Sequence, residues 1–181
     1  MSFNDLNDCL TIIASFLDDR DGQNFKYINK TCNFYYDGLI IKKQVKYSKV
    51  KDKLNVIGWR ITNLLVDVDE QIDFTQIANL IHLTVKDNSN FNQPVDNLPP
   101  NITHLSFGYY FNQPVDKLPQ NITHLTFREA FNQLVDKLPP NITHLTFGED
   151  FNQLVDKLPP NITHFTFGNG FNQLIDKLPK A

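Results

Sequence analysis

The residues of this chain that could carry out chemistry recur at fixed intervals. One repeating position holds every histidine of the chain, namely His82, His104, His124, His144 and His164, and a second holds Asp96, Asp116, Asp136, Asp156 and Asp176. Imidazoles on neighbouring strands would lie about 4.8 Å apart and could share a zinc ion. Carboxylates could serve in general acid–base catalysis.

Neither column is predicted to be a catalytic or metal site. No carboxylate or thiol recurs beside the histidines, and duplication of a repeat places identical residues in register without any selection for metal binding. The aspartates are followed by lysine, or by asparagine after Asp96, so we expect solvated charges. G-x-S-x-G, P-loop and Cys–His nucleophile patterns are also missing from the sequence. We therefore predict no enzyme, no catalytic residue, no metal and no cofactor. Protonated neighbours repel, so stacked imidazoles should have lowered pKa values.

A twenty-residue repeat organises the C-terminal half of the chain. Each unit opens with F-N-Q-[PL]-[VI]-D-[NK]-L-P, at Phe91, Phe111, Phe131, Phe151 and Phe171. The units at 131–150 and 151–170 differ only at positions 145/165, 149/169 and 150/170. A fixed period of this length indicates a solenoid.

Each unit is predicted to contain one strand. The segment N-I-T-H-L-[ST]-F alternates apolar and polar residues, which directs Ile102, Leu105 and Phe107 to the interior. Degenerate copies at 61–66 and 80–85 bring the expected number of parallel strands to about six. The Leu-Pro-Pro segments should hold the chain extended before each strand. So short a unit leaves room only for 3₁₀ or irregular segments between strands.

Composition limits the location and the partners of the chain. Net charge is −3, and the region from residue 91 onward holds 6 basic and 8 acidic residues, so nucleic acid is not an expected partner. Cys9 and Cys32 match neither a metal-binding spacing nor a disulfide framework. Without a cleavable signal or a membrane-length apolar run, the protein is expected to be intracellular and cytoplasmic.

The repeats resemble those of FNIP repeat proteins from social amoebae and giant DNA viruses, because F-N-Q-x-[VI]-D-x-L-P-x-N-[IV]-T-x-L-x-F recurs almost without gaps. The resemblance implies a leucine-rich-repeat-like solenoid, and location in the host cytoplasm if the chain is viral. It also implies that Asn112 and its equivalents form a buried ladder bonded to the next coil.

The first fifty residues resemble an F-box. Leu6, Leu10, Ile13 and Leu17 have helical spacing, and Phe25 and Ile28 belong to a following apolar and basic segment. This resemblance implies that these six residues bind a Skp-type adaptor and recruit a cullin ligase. Asn7 and Gly22 depart from the usual pattern. The alternative is that the N-terminal helices only cap the open end of the solenoid.

The expected fold is thus α+β. A helical F-box-like segment covers residues 1–50, degenerate repeats and a linker cover 51–90, and the regular repeats cover 91–181. An F-box joined to recognition repeats suggests the substrate receptor of an SCF-type ubiquitin ligase, by analogy. The alternative is a non-enzymatic repeat scaffold. An uncovered last strand also suggests either end-to-end self-association or local fraying beyond about residue 165.

The residues that follow each strand vary between repeats, whereas the core positions do not. They read Gly-Tyr-Tyr, Arg-Glu-Ala, Gly-Glu-Asp and Gly-Asn-Gly. We predict that they lie together at one edge of the sheet and bind an unknown protein target, with contacts from Tyr109, Tyr110, Arg128, Glu129 and Asp150. Neutral drift at unconstrained loop tips would give the same variation.

Overall fold

The chain forms a parallel β-solenoid. The computed structural model describes residues 44–53, 61–176 and 178. Within these residues seven parallel strands follow one another in sequence order in a single sheet. They are β1 (Val45–Lys46), β2 (Asn63–Val66), β3 (His82–Val85), β4 (His104–Ser106), β5 (His124–Thr126), β6 (His144–Thr146) and β7 (His164–Thr166). The six strands expected from the repeats, β2 to β7, are confirmed.

Strand β1 was not predicted. It pairs with Leu64 and Leu65 of β2, so the sheet begins before residue 51. A short helix, α1 (Tyr47–Val50), and a 3₁₀ segment (Lys51–Lys53) follow it. The segments predicted to bind the adaptor, at residues 6–17 and 25–28, lie outside the described residues.

The repeat period sets the register of the sheet. Each histidine pairs with the histidine of the next coil, and each central apolar residue pairs with its equivalent, as in Leu105 with Leu125. Ile102, Leu105 and Phe107 are buried, as predicted. Because strand side chains alternate between faces, this register places every apolar column inside and every histidine outside.

From β2 to β7, the connections between strands contain no α-helix. One 3₁₀ segment occurs, at Phe74–Gln76, and the other coils use turns and irregular backbone. The prediction that the Leu-Pro-Pro segments keep the chain extended up to each strand is wrong for the residues just before the strand. The Ile102 N–H donates to the Pro99 carbonyl at 3.3 Å, which closes a turn through Pro100 and Asn101. Proline favours the second position of such a turn.

Three columns of stacked rings show that the solenoid is curved. Histidine centroids on the strands lie 4.2–4.4 Å apart from coil to coil. The spacing rises to 5.3–5.7 Å in the Phe107, Phe127, Phe147, Phe167 column and to 6.1–6.2 Å in the Phe111, Phe131, Phe151, Phe171 column. Coils are therefore closest at the sheet, which forms the concave face.

Candidate interaction surface

The variable residues after the strands lie next to one another on successive coils. The Tyr109 N–H donates to the Asp87 carbonyl at 3.1 Å, the Ala130 N–H to the Tyr109 carbonyl at 2.9 Å, and the Asp150 N–H to the Glu129 carbonyl at 3.0 Å. We call this surface the edge row; it comprises Asp87, Tyr109, Tyr110, Arg128, Glu129, Ala130, Glu149, Asp150 and Asn169. All five residues predicted to bind a protein target belong to it.

The edge row exposes two adjacent aromatic side chains. Tyr109 is 39% exposed and Tyr110 is 53% exposed. Tyrosine is favoured at protein interfaces because it offers a large apolar surface at a low cost in conformational entropy. The tyrosine pair is therefore the strongest contact candidate within the edge row.

Two charged side chains beside the tyrosines are incompletely satisfied. Arg128 Nε lies 3.3 Å from Asp87 Oδ1, as an ion pair that lacks hydrogen-bond alignment. Glu129 Oε2 is shielded from solvent and has no hydrogen-bond partner among the described residues. Half-exposed ion pairs contribute little to stability. The pair of Arg128 with Asp87 therefore adds little to the stability of the edge row.

Gly148 and Gly168, which directly precede edge-row residues, are required by packing and do not reflect drift. A Cβ atom at Gly148 would lie 2.3 Å from the Arg128 carbonyl carbon, and one at Gly168 would lie 2.4 Å from the Gly148 carbonyl oxygen. Such distances are far below van der Waals contact. Sequence reasoning grouped these glycines with the free positions, because the close approach of coils is visible only in three dimensions.

An asparagine ladder runs beside the edge row. The Oδ1 atoms of Asn92, Asn112, Asn132 and Asn152 accept the backbone N–H of the asparagine on the next coil, at 2.9–3.0 Å. The predicted bonding to the next coil is therefore confirmed. The prediction of burial is wrong, since the side chains lie along the outer surface, exposed or half-exposed.

The aspartate column forms ion pairs with the next coil. Lys117 Nζ lies 2.7 Å from Asp96, Lys157 Nζ lies 2.8 Å from Asp136, and the equivalent pair at Lys137 is 3.7 Å apart. The hydrogen bond to Asp96 raises the pKa of Lys117. The sequence places a lysine directly after most of these aspartates, but the lysine that forms the ion pair is 21 residues further along the chain. These pairs are exposed and join coils weakly.

The N-I-T segments line a shallow groove of about 660 Å³ between an asparagine and a threonine column. Asn121 Nδ2 donates to the Pro100 carbonyl at 2.9 Å, and Asn141 and Asn161 make equivalent bonds. These asparagines therefore tie one coil to the preceding one.

The histidine column lies on the concave face with one ring nitrogen held in place. His104, His124, His144 and His164 are stacked nearly parallel, and Nδ1 of each lies 2.8–2.9 Å from the hydroxyl of the preceding threonine. Burial lowers the pKa of His104, and repulsion from neighbouring imidazoles adds to this; the pKa of His144 is lowered likewise. The predicted direction is confirmed for these two, so both are neutral near pH 7.

A stripe of exposed leucines was missed by sequence reasoning. Leu134, Leu154 and Leu174 are 63%, 59% and 78% exposed, at the repeat position where the earlier units have proline. The sequence did indicate that these leucines point outward, because their position lies between a polar glutamine and the valine or isoleucine that the repeat pattern predicts to face inward. The stripe is separate from the edge row and provides sites for control substitutions.

The part of the chain that the structure describes lacks two further features. There, no three or more histidine, cysteine, aspartate or glutamate side chains are grouped so that they could hold a metal ion. No helix there has the length and apolar character needed to cross a membrane.

Comparison with known proteins identifies the repeats. Residues 91–129 and 131–157 match the family described as FNIP repeat. No curated protein matches the chain significantly. The predicted FNIP repeats are thereby confirmed over these residues.

Proposed function

We propose that this chain, which matches the FNIP repeat over residues 91–129 and 131–157, is a non-enzymatic scaffold that binds a protein target through the edge row. One observation carries the proposal: side chains that differ between otherwise near-identical coils are adjacent in space and expose Tyr109 and Tyr110. In a repeat array, shared residues maintain packing, and differing residues are free to define a binding surface.

The finer proposal is that the scaffold is the substrate receptor of an SCF-type ubiquitin ligase. In this proposal Leu6, Leu10, Ile13, Leu17, Phe25 and Ile28 bind a Skp-type adaptor, which recruits the cullin, and the edge row presents the target. It is supported by the sequence resemblance of residues 1–50 to an F-box.

The alternative is a plain scaffold whose N-terminal part only covers the first coil. Contacts at the start of the sheet favour it. Tyr47 is buried, and the backbone N–H and the hydroxyl of Ser48 donate to the Asp67 carboxylate at 3.0 and 2.7 Å. Residues 45–50 thus cover β2, although the adaptor-binding candidates all precede this segment.

Binding of a purified Skp-type adaptor to the full chain separates the two proposals. The receptor proposal predicts a one-to-one complex in calorimetry that is lost in Leu10→Asp but retained in Leu154→Asp, an exposed control on the solenoid. Absence of binding by a chain with normal far-ultraviolet circular dichroism would overturn the receptor proposal and leave the plain scaffold.

The edge row is tested by quantitative affinity capture from cell extract. Wild type and a Leu134→Ser/Leu154→Ser control should retain the same target, and Tyr109→Ser/Tyr110→Ser should lose at least about tenfold of it, since truncated aromatic anchors typically cost 2 kcal/mol or more. Equal capture by all three proteins would contradict binding through the edge row.

A further inference from the structure

The histidine column has a feature that the proposed scaffold function does not use. Among the described residues, every side-chain hydrogen bond of the five histidines uses Nδ1, which leaves Nε2 available. Thr123 Oγ1 lies 3.1 Å from the Thr103 carbonyl oxygen and 2.9 Å from His124 Nδ1. A hydroxyl has one hydrogen. When that hydrogen is donated to the carbonyl, Oγ1 can only accept a hydrogen bond from the ring. The ring proton of the neutral histidine is then on Nδ1, and Nε2 is unprotonated.

The same arrangement repeats along the column. Thr143 and Thr163 lie 3.2 Å from the threonine carbonyl of the preceding coil, and their hydroxyls lie 2.9 and 2.8 Å from Nδ1 of His144 and His164. A hydrogen bond from the second ring nitrogen is the arrangement that orients histidine ligands in metal sites and increases their basicity. The fold therefore supplies several oriented imidazoles with available Nε2 atoms on one face.

We propose that adjacent histidines of the concave column bind a divalent transition-metal ion such as Zn²⁺ or Ni²⁺ through their Nε2 atoms, one ion to each pair. Neutral imidazole suits ions of this class, whereas Mg²⁺ and Ca²⁺ prefer oxygen ligands. Because no third histidine, cysteine or carboxylate joins a pair in the described residues, water completes the coordination. The ion is consequently held weakly and exchanges.

The spacing of the rings is close to what such a pair needs. Two nitrogens bound to one tetrahedral zinc at 2.0–2.1 Å lie about 3.3 Å apart. Neighbouring stacked rings are 4.2–4.3 Å apart between centroids. Approach by about 1 Å is not enough, because an ion is bound along the in-plane lone pair of each nitrogen. Neighbouring rings that are stacked nearly parallel must also turn until the two lone pairs converge on the ion. The column tolerates such a change in ring angle, since His82 and His104 already meet at 74° with centroids 4.4 Å apart.

Two variants with the same number of histidines test whether adjacency matters. His104→Gln/His144→Gln leaves His82, His124 and His164, none of which are on neighbouring coils. His144→Gln/His164→Gln leaves His82, His104 and His124, which are consecutive. Both are made in an untagged Cys9→Ser/Cys32→Ser chain, since thiolates compete for these ions.

Calorimetric titration with Ni²⁺ and Zn²⁺ measures the effect. The parent and the consecutive variant should bind with similar affinity, and the alternating variant should bind on the order of 10²-fold more weakly, because the second imidazole no longer acts at high effective concentration. Equal affinity of the two variants, or no binding by the parent, would overturn the proposal.

Nuclear magnetic resonance of ¹⁵N-labelled histidine gives a second measurement that does not depend on the variants. Addition of Zn²⁺ should shift the Nε2 resonances of the column and leave the Nδ1 resonances largely unchanged. Shifts confined to Nδ1, or to residues outside the column, would also contradict the proposal.

Discussion

Replacement of Asn132 by alanine removes one rung of the asparagine ladder. Oδ1 of Asn132 accepts two hydrogen bonds from the next coil, from the backbone N–H of Asn152 and from Nε2 of Gln153, both at 3.0 Å. Gln153 keeps a second bond, to the Asn132 carbonyl, at 3.1 Å. Asn132→Ala therefore mainly removes the hydrogen-bond acceptor of the Asn152 N–H.

The free-energy change should be modest. A typical hydrogen bond contributes a net 0.5–1.5 kcal/mol, and water can replace part of this bonding because the ladder is exposed. We expect the free energy of unfolding to fall by about 1 kcal/mol. For a chain of this size that corresponds to a decrease in Tm of about 2–4 °C.

Urea unfolding followed by circular dichroism measures this change, and the last rung supplies a matched control. Asn172 donates its own N–H to Asn152 at 2.9 Å, but its Oδ1 accepts no hydrogen bond from a described residue. Asn172→Ala should therefore cost much less than Asn132→Ala. Asn132→Asp keeps an acceptor and should recover part of the loss. Equal destabilisation by the two alanine variants would refute the ladder as the source of stability.

Four other outcomes follow from the same structure. Phe127 is fully buried between neighbouring phenylalanines, whereas Phe167 is only partly buried. In urea titrations, Phe127→Ala should reduce the free energy of unfolding by about 3–5 kcal/mol and Phe167→Ala by clearly less, and equal losses would contradict this. Gly148→Ala should lower Tm, because the added Cβ meets the Arg128 backbone, whereas glycine-to-alanine changes at open sites do not lower it. An unchanged Tm would show that the coils can separate at this position. Hydrogen bonds from Ser89 and Asn90 lower the pKa of Asp69, so the ionised carboxylate stabilises the fold fully above about pH 4, and this stabilisation is lost as the pH falls through the lowered pKa of the folded state. Asp69→Asn should therefore make Tm less sensitive to acid between about pH 5 and 3, and identical curves of Tm against pH for the two proteins would contradict this. The outer edge of β7 pairs with no described strand, so light scattering at rising concentration should detect end-to-end association, and a constant monomer mass would argue against it.

Identical repeats explain why much of the fold could be predicted. Ile102, Leu105 and Phe107 alternate with polar residues, and recurrence of this pattern at a fixed period requires parallel strands stacked in register. The same reasoning placed Tyr110, Ala130 and Asp150 in one row, because a shared repeat position becomes a shared position in space. Strand β1 could not be predicted, because Val45 and Lys46 do not belong to a repeat and pair only through contact with β2.

The sequence by itself therefore determined the strand period, the inward columns and which residues are neighbours along the solenoid. Tertiary structure alone decided how closely the coils approach. Ring centroids are about 4.3 Å apart in the histidine column of the sheet and 6.1 Å apart in the buried column that contains Phe131 and Phe151, so the coils are closer together at the sheet. Neighbouring coils approach closely enough to stack the histidines and to leave no room for a Cβ at Gly148. A repeat fixes which side chains face one another, but only packing of the whole coil fixes their distance.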